Sequence, residues 1–287
     1  MSRAEPRQRG ADLTAGSVRA RGIAAGLSAV KVARYEARWH FADAEEDAVG
    51  DRIIVAAVEQ DYERMQRAPD EQYQLTVRRT LTRLLEGAIE VAGALHAAGY
   101  RAKIYASEGG AMTIPYAVSA GLGQLGMNGQ LLTPQAGSRA RMLLISTDAP
   151  LSFDQPVDFG IPGVCDRCRI CAQRCPAGAI AVRPREHRGV EKWKIKTERC
   201  LPMVAQANGC SVCIKTCPIQ RYGLERVLAT YRQSGQILPQ HATDVGDLET
   251  YEWPLDGRTY AAGSRPKLDA EVREPAGLLA ARRAEGR

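Results

Sequence analysis

The chain has 287 residues and a mass of 31.2 kDa, which gives room for one sizeable domain and a smaller one. Its formal charge of +6 is not organised as a nucleic-acid surface: the arginines are scattered, and aromatic residues at 6% are too few for a row of stacking platforms. All eight cysteines fall between Cys165 and Cys217, which excludes a disulfide-stapled secreted framework, where they would be spread along the chain.

Taken in chain order, residues 1–22 are rich in Arg, Gly and Ala and are expected to form a flexible N-terminal tail. The apolar stretch at 23–30 is too short for a membrane span, and Arg19 and Arg21 are split by Ala20 rather than paired as in an export signal. The expectation is a cytoplasmic protein with no membrane partner, in which clustered cysteines mean metal. Residues 52–58 form a β-branched apolar run that predicts a buried strand. Residues 75–98 predict a helix with Leu81, Leu84, Leu85, Ile89, Ala92 and Leu95 on one face and Gly99 as its C-terminal stop. A strand at 101–106, a short helix at 113–121 and a buried strand at 142–146 complete an α/β half. Prolines and glycines from about Ser152 mark a boundary, and residues 224–231 predict a closing helix. The domains expected are therefore a tail at 1–22, an α/β domain at 23–155, a cysteine-bearing domain at 156–234 and a polar C-terminal tail at 235–287.

The cysteine spacing specifies the metal. Cys165-x2-Cys168-x2-Cys171-x3-Cys175-Pro176 is similar to the bacterial ferredoxin run, and Cys200-x9-Cys210-x2-Cys213-x3-Cys217-Pro218 repeats it with a stretched first spacer. Zinc favours paired C-x2-C knuckles and would leave this repeat unexplained. By analogy with two-cluster ferredoxins, Cys165, Cys168, Cys171 and Cys217 hold one [4Fe-4S] cluster, and Cys175, Cys200, Cys210 and Cys213 hold the second. Two such clusters lower the charge by about 4, leaving a mildly basic protein.

The stretch from Ala120 to Gly129 spells a GxGxxG, but it follows a helical segment rather than a strand, so it is not a dinucleotide fingerprint. Together with Ile114-Pro115, Leu132-Thr133-Pro134 and the run from Thr147 to Leu151, it resembles the corrinoid-binding core of reductive dehalogenases. The resemblance continues through Cys165 to Ile180, Lys192-Trp193-Lys194 and the last Cys-Pro, and reaches back to Gln60-Asp61-Tyr62-Glu63 and Ala68-Pro69. Epoxyqueuosine reductases are the nearest sister family. They usually carry a Trp and a Gly-Lys where this chain has Gln124-Leu125-Gly126-Met127, and Pro-Trp-Asn where it has Pro218-Ile219-Gln220.

The resemblance implies an α/β fold with a nitroreductase-like corrinoid-binding domain and an inserted or appended two-cluster ferredoxin-like domain. It implies an enzyme that passes electrons from two [4Fe-4S] clusters to base-off cobalamin for reductive cleavage of a carbon–halogen or carbon–oxygen bond. Gly121, Gly123, Gly126, Asn128 and Gly129 are the candidate cofactor-binding residues, the glycines because they lack a Cβ. The position of the family's proton-donating tyrosine falls near Leu81, so the candidate catalytic residues are Glu108, Tyr62 and the supporting Arg141, with Tyr73 as a further tyrosine. His40, His96, His187 and His241 are isolated, and no Asp-x-His-x-x-Gly cobalt-ligand motif is present. The partners implied are a low-potential electron donor (ferredoxin or flavodoxin) and a small-molecule substrate, with no nucleic acid other than a modified tRNA as substrate. A second reading, an electron-transfer or cofactor-handling protein without turnover, rests on Leu81 and the shortened N-terminal third.

Overall fold

A computed structural model describes residues 13–41, 48–105, 110–187, 189–237, 253–255 and 258–260. Along the chain run helix α1 (Ala15–Ala24), strands β1 (Ala29–Arg34) and β2 (Arg52–Glu59), helices α2 (Tyr62–Met65) and α3 (Glu71–Ala97), strand β3 (Ala102–Tyr105) and helix α4 (Thr113–Ser119). Short strands β4 (Gln124–Leu125) and β5 (Leu131–Leu132) precede β6 (Ala140–Thr147), helices α5 (Ile161–Cys168) and α6 (Ile170–Arg174), and the hairpin β7 (Arg185–His187) and β8 (Val190–Lys192). Helices α7 (Thr197–Gln206), α8 (Val212–Lys215), α9 (Pro218–Tyr222) and α10 (Leu224–Ser234) follow, with a last hairpin of β9 (Trp253–Leu255) and β10 (Arg258–Tyr260).

The first unit comprises residues 1–60, 78–124 and 140–159. It is built on a four-stranded sheet in the order β1-β2-β6-β3, with each neighbouring pair antiparallel. Six consecutive residues of β2, Ile53 to Val58, are buried, as a strand covered on both faces requires. Leu84, Ala88, Val91 and Leu95 of α3 pack with Ile54, Ala56, Val58, Leu143 and Ile145 into one core.

Two details of this unit depart from expectation. Residues 15–22 are not a tail: Thr14 and Ser17 form a capping box, and Val18 and Gly22 of α1 are buried. A Cβ on Gly22 would stand 2.5 Å from the Val30 side chain, so glycine lets α1 lie close on β1. Residues 1–12 lie outside the described residues. On α3, Leu85 and Ile89 are exposed, and the smaller Ala88 and Val91 take the inner face instead. Gly87 belongs to the same inner face: a Cβ there would stand 2.5 Å from the Leu27 side chain, so a side chain at this position would push against Leu27.

The second unit comprises residues 61–77, 125–139 and 160–287, and it contains all eight cysteines. The division is interleaved, where the sequence predicted consecutive blocks with a boundary at 155/156. Residues 61–77 enter this unit because Met65, Ala68 and Tyr73 pack against Ile214 and Cys213. Residues 125–139 enter it because Met127 packs with Ala172, Cys175 and Ile180. Within it, α10 closes the segment as predicted, its first N–H bonded to Pro134 O at 2.8 Å. From residue 238 the expected C-terminal tail lies outside the described residues, apart from the β9–β10 hairpin. Among the described residues no helix is long and apolar enough to cross a membrane.

Candidate functional site

The cysteines are presented by short helices broken at left-handed residues. Between α5 and α6, Arg169 takes φ 56° and its side chain bonds back to Asp166 through the carbonyl oxygen and the carboxylate, at 2.7 and 3.0 Å. At this break the Ile170 N–H faces the Cys168 sulfur, and the Ala172 N–H, which also donates to Arg169 O at 3.0 Å, faces the Cys171 sulfur. The second run is more sharply curled: Asn208, Gly209, Cys210 and Ser211 all have positive φ. Such a curl turns successive N–H groups to one side, and those of Ser211 and Val212 donate to the Cys210 sulfur. Tyr73, fully buried, fixes this curl through a hydroxyl hydrogen bond to Ser211 Oγ.

The eight thiols gather into two groups of four. Burial pushes the Cys165 thiol up to about 12, with the neighbouring Cys217 adding to the shift and the Met127 N–H opposing it. Burial likewise lifts Cys168 to about 12, opposed by the Ile170 N–H and reinforced by Cys217 and Cys165. Cys171 is raised by burial and then by Cys217, Cys165 and Cys168. These four cysteines line one cavity together with Met127, Leu132 and Val164. In the other group, burial raises Cys200, whose neighbour is Cys175. Burial also lifts Cys210 to about 12, with Val212 N–H opposing and Cys175 and Cys200 reinforcing. Cys213 is raised well above its ordinary value by burial and then by Cys210, Cys171, Cys175 and Cys200. The fourth cysteine of each run therefore stands with the first three of the other run.

As bare thiolates these groups would be costly, both by desolvation and by mutual repulsion; a cationic iron–sulfur core held by each group would offset both penalties. All eight cysteines are free of disulfides. Among the described residues, no group of three or more His, Cys, Asp or Glu side chains is arranged to hold a single metal ion.

The other predicted site residues are more dispersed. Glu108 lies outside the described residues. Arg141 is on β6 in the sheet unit, opposite Val58 in the register. Tyr62 opens α2 in the cysteine unit, with the Arg139 guanidinium 5.9 Å from its ring centroid. Leu81 packs against the sheet-unit core. Gly123 is buried. At Gly121 (φ 66°) a Cβ would stand 2.3 Å from Gln155 O, and at Gly129 (φ 69°) 2.8 Å from the Ile195 side chain; at Gly126 Leu132 approaches to 2.2 Å. In all three cases the close approach is made by the chain's own atoms. Asn128, 2% exposed, donates to Ser138 Oγ at 3.0 Å and accepts from Gln130 N–H at 3.2 Å.

Two features are not marked in the sequence. Met127 lines the first cysteine cavity and aims its N–H at Cys165, although nothing local distinguishes it from a gap-filling methionine. In the sheet unit, His40 is buried, not isolated: its Nε2 lies 3.0 Å from the Tyr116 hydroxyl, with Tyr35 and Tyr105 rings packed on it. That hydroxyl also accepts from Glu36 N–H and donates to Glu36 O, both at 3.0 Å, and burial raises its pKa. Residues from 35 to 116 meet here, and only the fold brings them together.

Residues 164–221 match the family model of a 4Fe-4S dicluster domain, so the chain carries such a domain. Over 178 residues, 58% of this chain, it is 34% identical to a tetrachloroethene reductive dehalogenase of Desulfitobacterium hafniense. It is 31% identical over 180 residues to the enzyme of the same name from Sulfurospirillum multivorans. The chain is similar to the reductive dehalogenases over this part of its length. It spans about a third of the length of these curated relatives, 32% and 36%. Among solved structures, a reductive dehalogenase described for B12-dependent dehalogenation matches with TM-score 0.69 and 25% identity, over 94% of this chain and 44% of that one. The epoxyqueuosine reductase of Escherichia coli (strain K12) is a weaker relative, 30% identical over 156 residues, 48% of this chain and 36% of that protein.

Proposed function

We propose that this chain is an iron–sulfur oxidoreductase of the reductive dehalogenase type, acting on a small organohalide, with cobalamin as its second cofactor. Cys165, Cys168, Cys171 and Cys217 hold one cluster, and Cys175, Cys200, Cys210 and Cys213 the other. The observation that carries this reading is the crossing of the two runs, which builds two buried four-sulfur sites side by side. Adjacent low-potential clusters form a wire, and a wire implies an acceptor. Bound cobalamin would supply a reduced cobalt able to break a carbon–halogen bond.

The chain's own groups fit that role in part. Gln220, 1% exposed, has an amide whose nitrogen and oxygen are both without a partner among the described residues, and it lies three residues after Cys217. A buried donor and acceptor on one side chain suit the peripheral carboxamides of a corrinoid. Arg141 is the candidate for holding the leaving halide, and Glu108 or Tyr62 for delivering the proton.

Anaerobic reconstitution tests the reading. About eight irons per chain are expected, falling to roughly half in Cys175→Ala, with broad visible absorbance in both. Titration with cobalamin should then give a base-off spectrum, and the reduced, loaded protein should release halide from an organohalide. Stoichiometric zinc in place of iron would overturn the cluster assignment. Leu81, packed in the core where the relatives' donor is expected, favours the second reading, electron transfer without turnover. Cobalamin binding without halide release would select it.

A further inference from the structure

Between Ile180 and Cys200 the chain presents a line of positive charge that runs into the helix bearing Cys200 of the second cysteine group. Ile195 bridges to Ile180, and Lys196 N–H bonds to Ala179 O at 2.8 Å, so this stretch lies along the group's own wall. Burial alternates along it. Trp193 and Ile195 pack inward on a buried cluster that includes Cys175 and Ile180 and that Cys200 and Cys213, together with Cys165 and Cys171 of the first group, also adjoin, whereas Lys194 and Lys196 are exposed. Lys192, Lys194 and Lys196 thus share the outward side. Lys196 O accepts from the N–H of Cys200, which puts the end of the line one helical turn from a ligand sulfur. Exposed Arg199 adjoins it, its guanidinium on Gly178 O at 3.4 Å.

The hairpin beside this line is sorted by charge. In the register of β7 and β8, Arg185 stands opposite Lys192 and Glu186 opposite Glu191, so one face carries two cations and the other two anions. Like charges directly opposite each other weaken a hairpin, and exchanging one pair would have given two attractive contacts. The cations are therefore not placed for local stability. Lys192, Lys194 and Lys196 form no ion pair among the described residues. The acidic groups nearby are Glu186 and Glu191 on the opposite hairpin face and Glu198 in the first turn of α7.

Resting on the cluster assignment above, we infer that Lys192, Lys194, Lys196, Arg185 and Arg199 form the docking face for an acidic, low-potential iron–sulfur protein that delivers electrons into the cluster held by Cys175, Cys200, Cys210 and Cys213. One electron leaves the reduced [4Fe-4S]1+ centre of the donor, which becomes 2+, and the receiving cluster passes from 2+ to 1+; no proton moves. A polynucleotide fits this surface less well. The one aromatic side chain in the line, Trp193, is turned inward and offers no platform for a base.

The test uses the reconstituted two-cluster protein, an acidic two-[4Fe-4S] ferredoxin as probe, and the variant K192E/K194E/K196E. Reduction of the protein by reduced ferredoxin, followed by bleaching in the visible, should slow at least about tenfold in the variant at low ionic strength. The wild-type rate should fall as salt is raised, and the variant rate should respond much less. Affinity for oxidised ferredoxin, measured by calorimetry, should weaken in parallel, and reduction by photoreduced 5-deazaflavin, a neutral small molecule, should not change. Iron content equal to wild type establishes that the variant is loaded; if the triple variant loses iron, K194E/K196E, at the two exposed positions, carries the same comparison. Equal rates with ferredoxin, an equal slowing with deazaflavin, or loss of binding to an RNA stem-loop with ferredoxin reduction intact would each overturn the proposal. Failure of the unsubstituted protein to take up iron would remove the cluster assignment and this inference with it, and iron analysis separates that case from the others.

Discussion

At the scale of single residues, Gln220 is a liability in the absence of a ligand. A buried amide left without partners costs about 1–3 kcal/mol, more than the loss of an exposed hydrogen bond. Gln220→Leu should therefore raise the thermal midpoint of the cluster-loaded, cobalamin-free protein, by an amount equivalent to about 1 kcal/mol, and should weaken cobalamin binding in a spectral titration. A lower midpoint together with unchanged affinity would show that the amide serves packing. The contrast with the cysteines explains what the sequence could convey. Cluster ligands obey a local spacing rule, so both runs are legible as text. Gln220 obeys none, and its significance depends on neighbours that only folding supplies. The glycines at 121, 126 and 129 are intermediate: their need for a small residue is legible, but the atoms that press on them, Gln155, Leu132 and Ile195, are not.

At the scale of elements, the join between α3, β3 and β6 is held by one carboxylate. Asp148 accepts from the backbone N–H of Arg101 at 2.8 Å and from its Nε at 3.1 Å, and Thr147 Oγ1 donates to Arg101 O at 2.7 Å. Burial acts to raise the Asp148 pKa, but the Arg101 N–H and guanidinium together outweigh it and hold the carboxyl below its usual value. A depressed folded-state pKa contributes stability above the unfolded value, and that contribution is lost as pH falls through the folded one. Because Arg101 is 74% exposed, its ion pair is screened and most of the effect rests on the backbone bond. Asp148→Asn is expected to cost about 1 kcal/mol at neutral pH, with the gap from wild type closing below the carboxylate range in chemical denaturation. A constant gap across pH would refute this account. The helix α3 leading into this join was legible as a helix from its period and its glycine stop. Its inner face was legible only in part, since periodicity ranks residues by size and the packing chose Ala88 and Val91 where α1 and Leu27 crowd the helix.

At the scale of the whole molecule, the strands and helices were largely readable and their grouping was not. The sequence presents the cysteine region as a consecutive block, yet the unit that holds it recruits residues 61–77 and 125–139 from inside the α/β half. The fragment 160–237 keeps all eight cysteines but lacks Met127, whose N–H faces Cys165, and Tyr73, whose hydroxyl anchors the curl at Ser211. After anaerobic reconstitution that fragment is expected to hold well under the eight irons of the full chain, and to lose its visible absorbance faster in air. Full iron content and equal air stability in the fragment would show that the recruited segments are dispensable.

The interleaving also bears on descent. A region that folds from one continuous stretch can be copied between genes by a single recombination event, and small ferredoxin-like domains are well suited to such transfer. Here a crossover on either side of residues 160–237 would carry the cysteines away from Met65, Tyr73 and Met127, which pack beside them. The two units are thus interleaved along the gene, and a substitution at 61–77 or 125–139 acts on the cysteine region these segments pack against.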